Sequence, residues 1–416
     1  MYYLLFIFYF ALFYFCISRS SFIKKTGLNK KEIAALFTLK IAAGILLGFV
    51  VNRLYPGIND YWGLNAEAKR EYQLLMHSPG EFIKSIFQSG YNEYGGFFGS
   101  FNSHWNDLRI ILPIKLVAIF NIFSRGNYYI NSLFLNSIVF FGHAALFLVF
   151  TDVFKGKKWL VLTGCFLLPS TLYFTSGLGK DAVVFLGLAL FSYAIYFLRS
   201  SGVHLKKMLL LLASLLMVLL IRNFVAMLLL PATFALLLSY RLKIKPLYLF
   251  LAVYVSSALL LTALQYASPQ KNPLHIIASK QKAFFEIEPG RANIATDSVE
   301  PRIQSILKNS PQALNHVLMR PYVTESKNWM YAGIAAELVA YQILFLLTLI
   351  FFERPAAPAR PFVNFSIFLS LSLFIFIGLI VPNIGAIFRY RSVYLPWLII
   401  PILCSINWRK ISINSH

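Results

Sequence analysis

Acidic side chains are scarce in this chain: 16 Asp and Glu stand against 38 Lys and Arg in 416 residues, and charges of both signs make up only 13%. With 58% hydrophobic residues, 17% aromatics and a mean hydropathy of +0.66, the chain lacks the polar surface that separate soluble domains need. Cysteine is also sparse. Cys16, Cys165 and Cys404 each fall inside an apolar run, where a thiol acts as a small hydrophobe, which excludes a disulfide framework and a cysteine metal site. Met1 to Ile17 has no basic n-region and no small-residue cleavage site, so it reads as a retained helix rather than a removed signal peptide. The glycines of Gly177-Leu178-Gly179-Lys180 are followed by Asp181, not by the Ser or Thr of a phosphate-binding loop, which excludes a soluble NTPase. The formal charge of +22 does not point to nucleic acid, because the Lys and Arg sit mainly between apolar segments, where the positive-inside rule and anionic headgroups explain them.

What the chain does have is long apolar runs. They lie near 1–18, 33–51, 128–150, 159–176, 181–198, 207–221, 224–238, 246–264, 331–352, 362–381 and 393–407, each close to the length that crosses a bilayer. Basic clusters mark the cytoplasmic side: Arg19 to Lys31, Lys155 to Lys158, Arg199 to Lys207, Arg241 to Lys245, Arg354 with Arg360, and Arg409 with Lys410. The shorter stretch 110–124, interrupted by Pro113 and Lys115, would invert every later cluster if it crossed, so it is expected in the outer interface. The expectation is an all-α polytopic bundle of about eleven spans, one multi-span domain over 1–416, in a cell inner membrane. Its N-terminus is expected outside and its C-terminus in the cytoplasm, with two long outer loops at 52–109 and 265–328.

Loops of this length usually carry function. The first opens with the turn-forming run Pro56 to Trp62, continues into a helix-forming stretch from Asn65 to His77 that reads as interfacial, and ends in Tyr91 to Gly96 and Asn102 to Asp107. Two readings stand for Asp60, at the membrane boundary: a general base for a lipid-linked substrate, or a cap on the next helix. Trp62 and Trp105 suit either a sugar face or an aromatic belt. Asp181 after Lys180 fits a helix N-terminus. The second loop ends in Met319 to Trp329, including Arg320 and Glu325, and the next span carries Glu337. Arg389 and Arg391 fall on the expected outer side against the positive-inside rule. Guanidinium groups there suit a phosphate, or they snorkel to headgroups or pair with Glu325 or Asp60. A transporter would need charge along its pathway; Lys40 is the main mid-span candidate, and no matching halves of an inverted repeat are evident.

These features together resemble the GT-C superfamily of membrane glycosyltransferases, with an acidic residue opening the long first outer loop, an interfacial segment before the next crossing, and a later acid after a Pro-containing span. Patterns similar to PSTLYFTSGLGKD, RPYVTESKN and GAIFRYRSVYLP also occur in multi-span proteins of bacterial surface-polysaccharide loci, including repeat-unit polymerases. The chain departs from the GT-C layout by an additional first helix, by the lack of a second carboxylate beside Asp60, and by the lack of a soluble C-terminal domain. The resemblance implies transfer from a polyprenyl-phosphate sugar to a saccharide or lipid acceptor. Asp60 would act as base with Asp181 as a second catalytic acid. Arg389, Arg391, Arg320 and Lys180 would hold the phosphate, and Glu325, His104 and Asp107 would orient the acceptor. No cofactor is implied, and no firm metal signature appears, although His104 and Asp107 lie close to Asp60 in sequence. Alternatives are a repeat-unit polymerase and a flippase or transporter of lipid-linked saccharides.

Overall fold

The computed structural model describes residues 1–56, 59–88, 104–200, 204–267, 272–286, 292–325 and 329–414, and it is all-helical there apart from turns and two isolated bridges, Asn293 with Asn383 and Phe352 with Ile406. Among the described residues eight helices are long and apolar enough to cross a bilayer: Tyr2–Arg19, Lys30–Leu54, Tyr128–Val153, Lys180–Arg199, Asn223–Arg241, Pro246–Ala267, Tyr331–Ile350 and Arg360–Ile380. A bent pair, Ile384–Ser392 and Leu395–Cys404, meets the same criteria as one span with a 64° break. The chain is therefore a multi-pass membrane protein by its helices.

Two further apolar runs take other forms. Leu205–Ile221 is a helix of 17 residues, about 26 Å long at ~1.5 Å per residue and so slightly short of a ~30 Å hydrocarbon core. The run at 159–176 breaks into a Lys158–Leu162 helix, a π-helical turn Thr163–Leu167 and a Pro169–Phe174 helix, because Pro169 cannot continue the hydrogen-bond ladder of the preceding turn. The interfacial stretch expected at 110–124 belongs to a longer continuous helix, His104–Ser124, with Pro113 inside it.

The chain divides into two compact units. Unit 1 takes Met1–Val149 and Leu172–Ala226, and unit 2 takes Phe150–Thr171 and Met227–His416.

Unit 1 is set by caps and polar pins. Asn29 and Glu32 form a reciprocal capping box at the start of Lys30–Leu54 (2.8 and 2.7 Å), satisfying orphan N–H groups where the chain re-enters the apolar layer. Asn59 caps the Asp60–His77 helix by accepting from the Trp62 N–H at 2.9 Å. That helix turns Tyr61, Leu64, Asn65 and Ala68 inward. Buried amides tie it down: Asn131 donates to Asn65 (2.8 Å) and to Asn121 (2.7 Å), and Asn121 donates to the Ala68 carbonyl (3.0 Å). With little water available as a competitor, such bonds fix the mutual register of three helices. Gly48 permits the closest approach, since a Cβ there would stand 2.4 Å from the Tyr128 ring.

Unit 2 is organised around Arg360–Ile380, whose Phe362, Phe365, Leu369, Leu373, Phe374 and Ile377 are fully or nearly fully buried. The amphipathic Ile303–Leu318 helix lies against it at Gly378, where a Cβ would fall 2.2 Å from the Ala313 carbonyl oxygen. Only glycine lets the two backbones meet this closely.

Candidate functional site

The charged residues of unit 1 occupy three different environments. Asp60 is exposed at the first position of its helix, with Asn59 rather than Asp60 as the cap. His104 and Asp107 stand in the first turn of His104–Ser124, half-buried. Asp181 is fully buried in the first turn of Lys180–Ser200, after the half-buried Lys180, and is ion-paired to Arg222. Losing that cation would leave a buried charge uncompensated.

Unit 1 holds two more buried cations. Lys40, in the middle of Lys30–Leu54, is inaccessible and spends its three donors on the Thr175 carbonyl (3.0 Å), the Thr175 hydroxyl (3.1 Å) and the Ser176 hydroxyl (3.0 Å). An ammonium has three donors and no acceptor, so this lysine is saturated. That is the state of a structural pin, not of a group waiting for a passing ligand. Lys115, also buried, pairs with Glu71 at 2.6 Å, donates to Ser85 at 2.6 Å and sits 4.0 Å above the Phe82 ring, which explains a lysine in an otherwise apolar stretch. Trp62 stacks on Tyr128 (centroids 4.2 Å apart, 10° between planes) and donates to the Gly48 carbonyl at 3.0 Å. Its ring face is thus already occupied. The Tyr91–Gly96 and Asn102–Ser103 segments of the first loop lie outside the described residues, as do the Trp105 side chain and Ser326 to Asn328 of the second loop.

Unit 2 gathers the other candidates. Arg320 pairs with Glu325 at 2.6 Å, and the second Glu325 oxygen accepts from the Tyr322 N–H at 3.1 Å. Arg391 is 1% exposed and donates to the carbonyls of Val317 (2.6 Å) and Arg320 (3.0 Å), so it clamps the end of Ile303–Leu318 against Ile384–Ser392. Its Nε has no hydrogen-bond partner, and neither does the Nε of Arg320. Glu337 lies within electrostatic reach of Arg391 and accepts from the Ser170 N–H (3.1 Å), the Ser170 hydroxyl (2.9 Å) and the Tyr341 hydroxyl. Thr171 donates to the Ser392 carbonyl at 2.7 Å. Arg389, four residues past Gly385, is half-buried and lies over the Tyr390 ring at 5.8 Å.

His316 completes this group. It is 4% exposed, its Nδ1 has no hydrogen-bond partner, and burial, then the nearby Arg320 charge, hold its pKa below the usual histidine value. The imidazole is therefore kept neutral.

The structure thus brings together Arg320, Glu325 and Arg391 with Glu337, Tyr341, Ser170 and His316 in unit 2. Among the described residues no three His, Cys, Asp or Glu side chains converge on a common point that could hold a metal ion. Compared with known proteins, the chain matches no family model, no curated protein and no solved structure.

Proposed function

We propose that this protein is a membrane glycosyltransferase of the cell envelope, using a polyprenyl-phosphate-linked sugar at the outer face of the inner membrane to extend a saccharide or a glycolipid. The supporting observation is the polar cluster of unit 2. It joins two arginines and two carboxylates beneath an amphipathic helix, and both guanidinium groups keep one Nε–H unspent. A half-buried arginine with a donor to spare, Arg320, matches a phosphate that arrives on a lipid and must be held as it leaves.

In this reading Arg320 and Arg389 contact the phosphate, and Arg391 is a positioning residue, since its other nitrogens already hold backbone carbonyls. Glu325 orients Arg320 and, with Arg320, the acceptor. Asp60, exposed at the head of its helix in unit 1, is the residue this reading assigns as base. The topology proposed with this function has eleven crossings. They comprise the eight long helices, the bent pair, Leu205–Ile221 and the broken segment Lys158–Phe174, with the N-terminus outside and the C-terminus cytoplasmic. A reporter fused after Asn272 should then read outside and one after Lys158 inside.

The test is surface-polysaccharide production in cells lacking the gene, complemented with the wild-type chain or with Asp60→Asn, Arg320→Ala or Arg389→Ala at matched membrane abundance. Loss of product with each variant is expected. Full rescue by all three would defeat the transferase reading and favour a transporter or a scaffold.

A further inference from the structure

Unit 2 also contains a cavity of ≈ 1000 Å³ that borders the polar cluster at Tyr341 and Val317 and extends away from it. Its walls are the apolar faces of Tyr331–Ile350, Arg360–Ile380 and Leu395–Cys404, completed by the start of Pro246–Ala267 and the end of Ile303–Leu318. Leu346, Ile367 and Ile402 are representative of the lining. The two flanking helices, Pro246–Ala267 and Tyr331–Ile350, expose most of their surface, so the groove is reached sideways from the bilayer.

Its mouth has the opposite character. Lys245, Arg354 and Arg360 line one end, at the N-terminus of one helix, just past the C-terminus of a second and at the N-terminus of a third. Lys245 and Arg354 are exposed, and Arg360 is half-buried with its Nε on the Pro355 carbonyl at 3.0 Å. The nearby Glu353 is taken by Lys157 at 2.8 Å, and none of the three rim cations has an ion pair among the described residues. Three uncompensated cations around an apolar slot ask for an anion with a hydrocarbon tail.

Depth narrows the choice. The lining runs from Arg354 at the rim past Leu346 to Leu338, roughly 24 Å at helical rise, which is less than a ~30 Å hydrocarbon core.

We infer that this groove is a binding site for an anionic bilayer phospholipid, one acyl chain lying along Leu346, Ile367 and Ile402 and the headgroup phosphate held by Lys245, Arg354 and Arg360. A polyprenyl chain is longer than the slot, and a free phosphate would make no use of the apolar walls. The site adjoins the polar cluster, but its rim cations and its test do not depend on the transferase reading. In the proposed orientation its lipid comes from the cytoplasmic leaflet.

The test is native mass spectrometry of the full chain in detergent, offered phosphatidylglycerol or phosphatidylcholine with the same acyl chains, and then inorganic phosphate or polyprenyl monophosphate as competitors. We expect at least tenfold preferential retention of phosphatidylglycerol. It should be lost in the Lys245→Gln, Arg354→Gln, Arg360→Gln triple variant and in Ile367→Trp, which fills the slot, and kept when Lys24, Lys25 and Lys31 are changed to Gln instead. If the triple variant does not yield folded protein, Arg354→Gln alone, at an exposed position, should weaken retention at least threefold. Equal retention of both lipids, or wild-type retention by the rim and slot variants, would overturn the assignment. So would displacement by inorganic phosphate, which would indicate an anion site, or stoichiometric displacement by polyprenyl monophosphate, which would give the groove to the carrier.

Discussion

Particular charges in the two units are matched to different degrees. In unit 1, Lys40 has three oxygen partners, Lys115 has a carboxylate, a hydroxyl and a ring, and Asp181 has Arg222. In unit 2, Arg391 and Arg320 each keep an unspent Nε–H, His316 keeps an unpartnered Nδ1, and three rim cations flank an open slot. Matched polar groups in an apolar interior lock geometry, whereas incompletely matched ones leave room for a ligand to finish the match. The contrast therefore assigns scaffolding to Lys40, Lys115 and Asp181, and binding to the cluster of unit 2.

The sharpest way to break this comparison is at the Asp181 ion pair. Arg222→Ala strands a fully buried carboxylate and should cost about 3–5 kcal/mol, with much of the loss recovered in the Arg222→Met, Asp181→Leu double variant. Thermal unfolding of the purified chain in detergent measures both. If Arg222→Ala matched wild type, Asp181 would not depend on its cation and would return as a candidate acid.

Next in size is the backbone contact in unit 2. Gly378→Ala puts a methyl where the Ala313 backbone stands, so Ile303–Leu318 must move. A loss of about 1–3 kcal/mol is expected. Because Arg391 holds the end of the same helix, surface-polysaccharide production should fall as well, and production unchanged at reduced stability would separate that helix from the function.

Lys40→Met should cost less, about 1–2 kcal/mol, since the Thr175 carbonyl and two hydroxyls lose a shared donor while the packing is kept. Its decisive readout is functional. Normal polysaccharide production at matched abundance is expected of a structural pin, and complete loss in a stable protein would make Lys40 part of a transport pathway.

The smallest effect is a pH dependence. The folded-state pKa of His316 lies below its unfolded value, so the unfolded chain binds the extra proton as pH falls. The stabilisation is full above the ordinary histidine range and declines on acidification through it. Wild type should therefore lose thermal stability between pH 7.5 and 5.5 more steeply than His316→Gln. Parallel slopes would remove His316 as the cause.

Much of the membrane architecture is legible in the sequence because apolar run length is a direct consequence of bilayer thickness. All eight long helices coincide with apolar runs read from composition. The remaining runs were harder to read for physical reasons. Pro169 splits 159–176, and the start of the His104–Ser124 helix is polar, so hydropathy gives only its later part. The ion pair of Asp181 was half visible: Arg222 is a lone arginine between two apolar runs, on the outer side by the charge count, opposite the Lys180-Asp181 pair. A second violation of the positive-inside rule beside a buried acid is the signal that would have joined them. The roles of Tyr341, Ser170 and His316 carry no such signal, because a hydroxyl or imidazole in a helix is ordinary until tertiary packing places a carboxylate or an arginine next to it. The groove is likewise a product of packing, although each of its rim residues marks a cytoplasmic cluster in the sequence.

The most direct measurement is binding of polyprenyl monophosphate to the full chain in phosphatidylcholine nanodiscs, wild type against Arg320→Ala and Arg389→Ala. If unit 2 holds the phosphate of a lipid-linked sugar, wild type binds and each variant binds at least tenfold more weakly, while Arg354→Gln at the groove rim binds as wild type does. Equal binding by wild type and both arginine variants would contradict the phosphate role of the cluster and, with it, the proposed transfer chemistry.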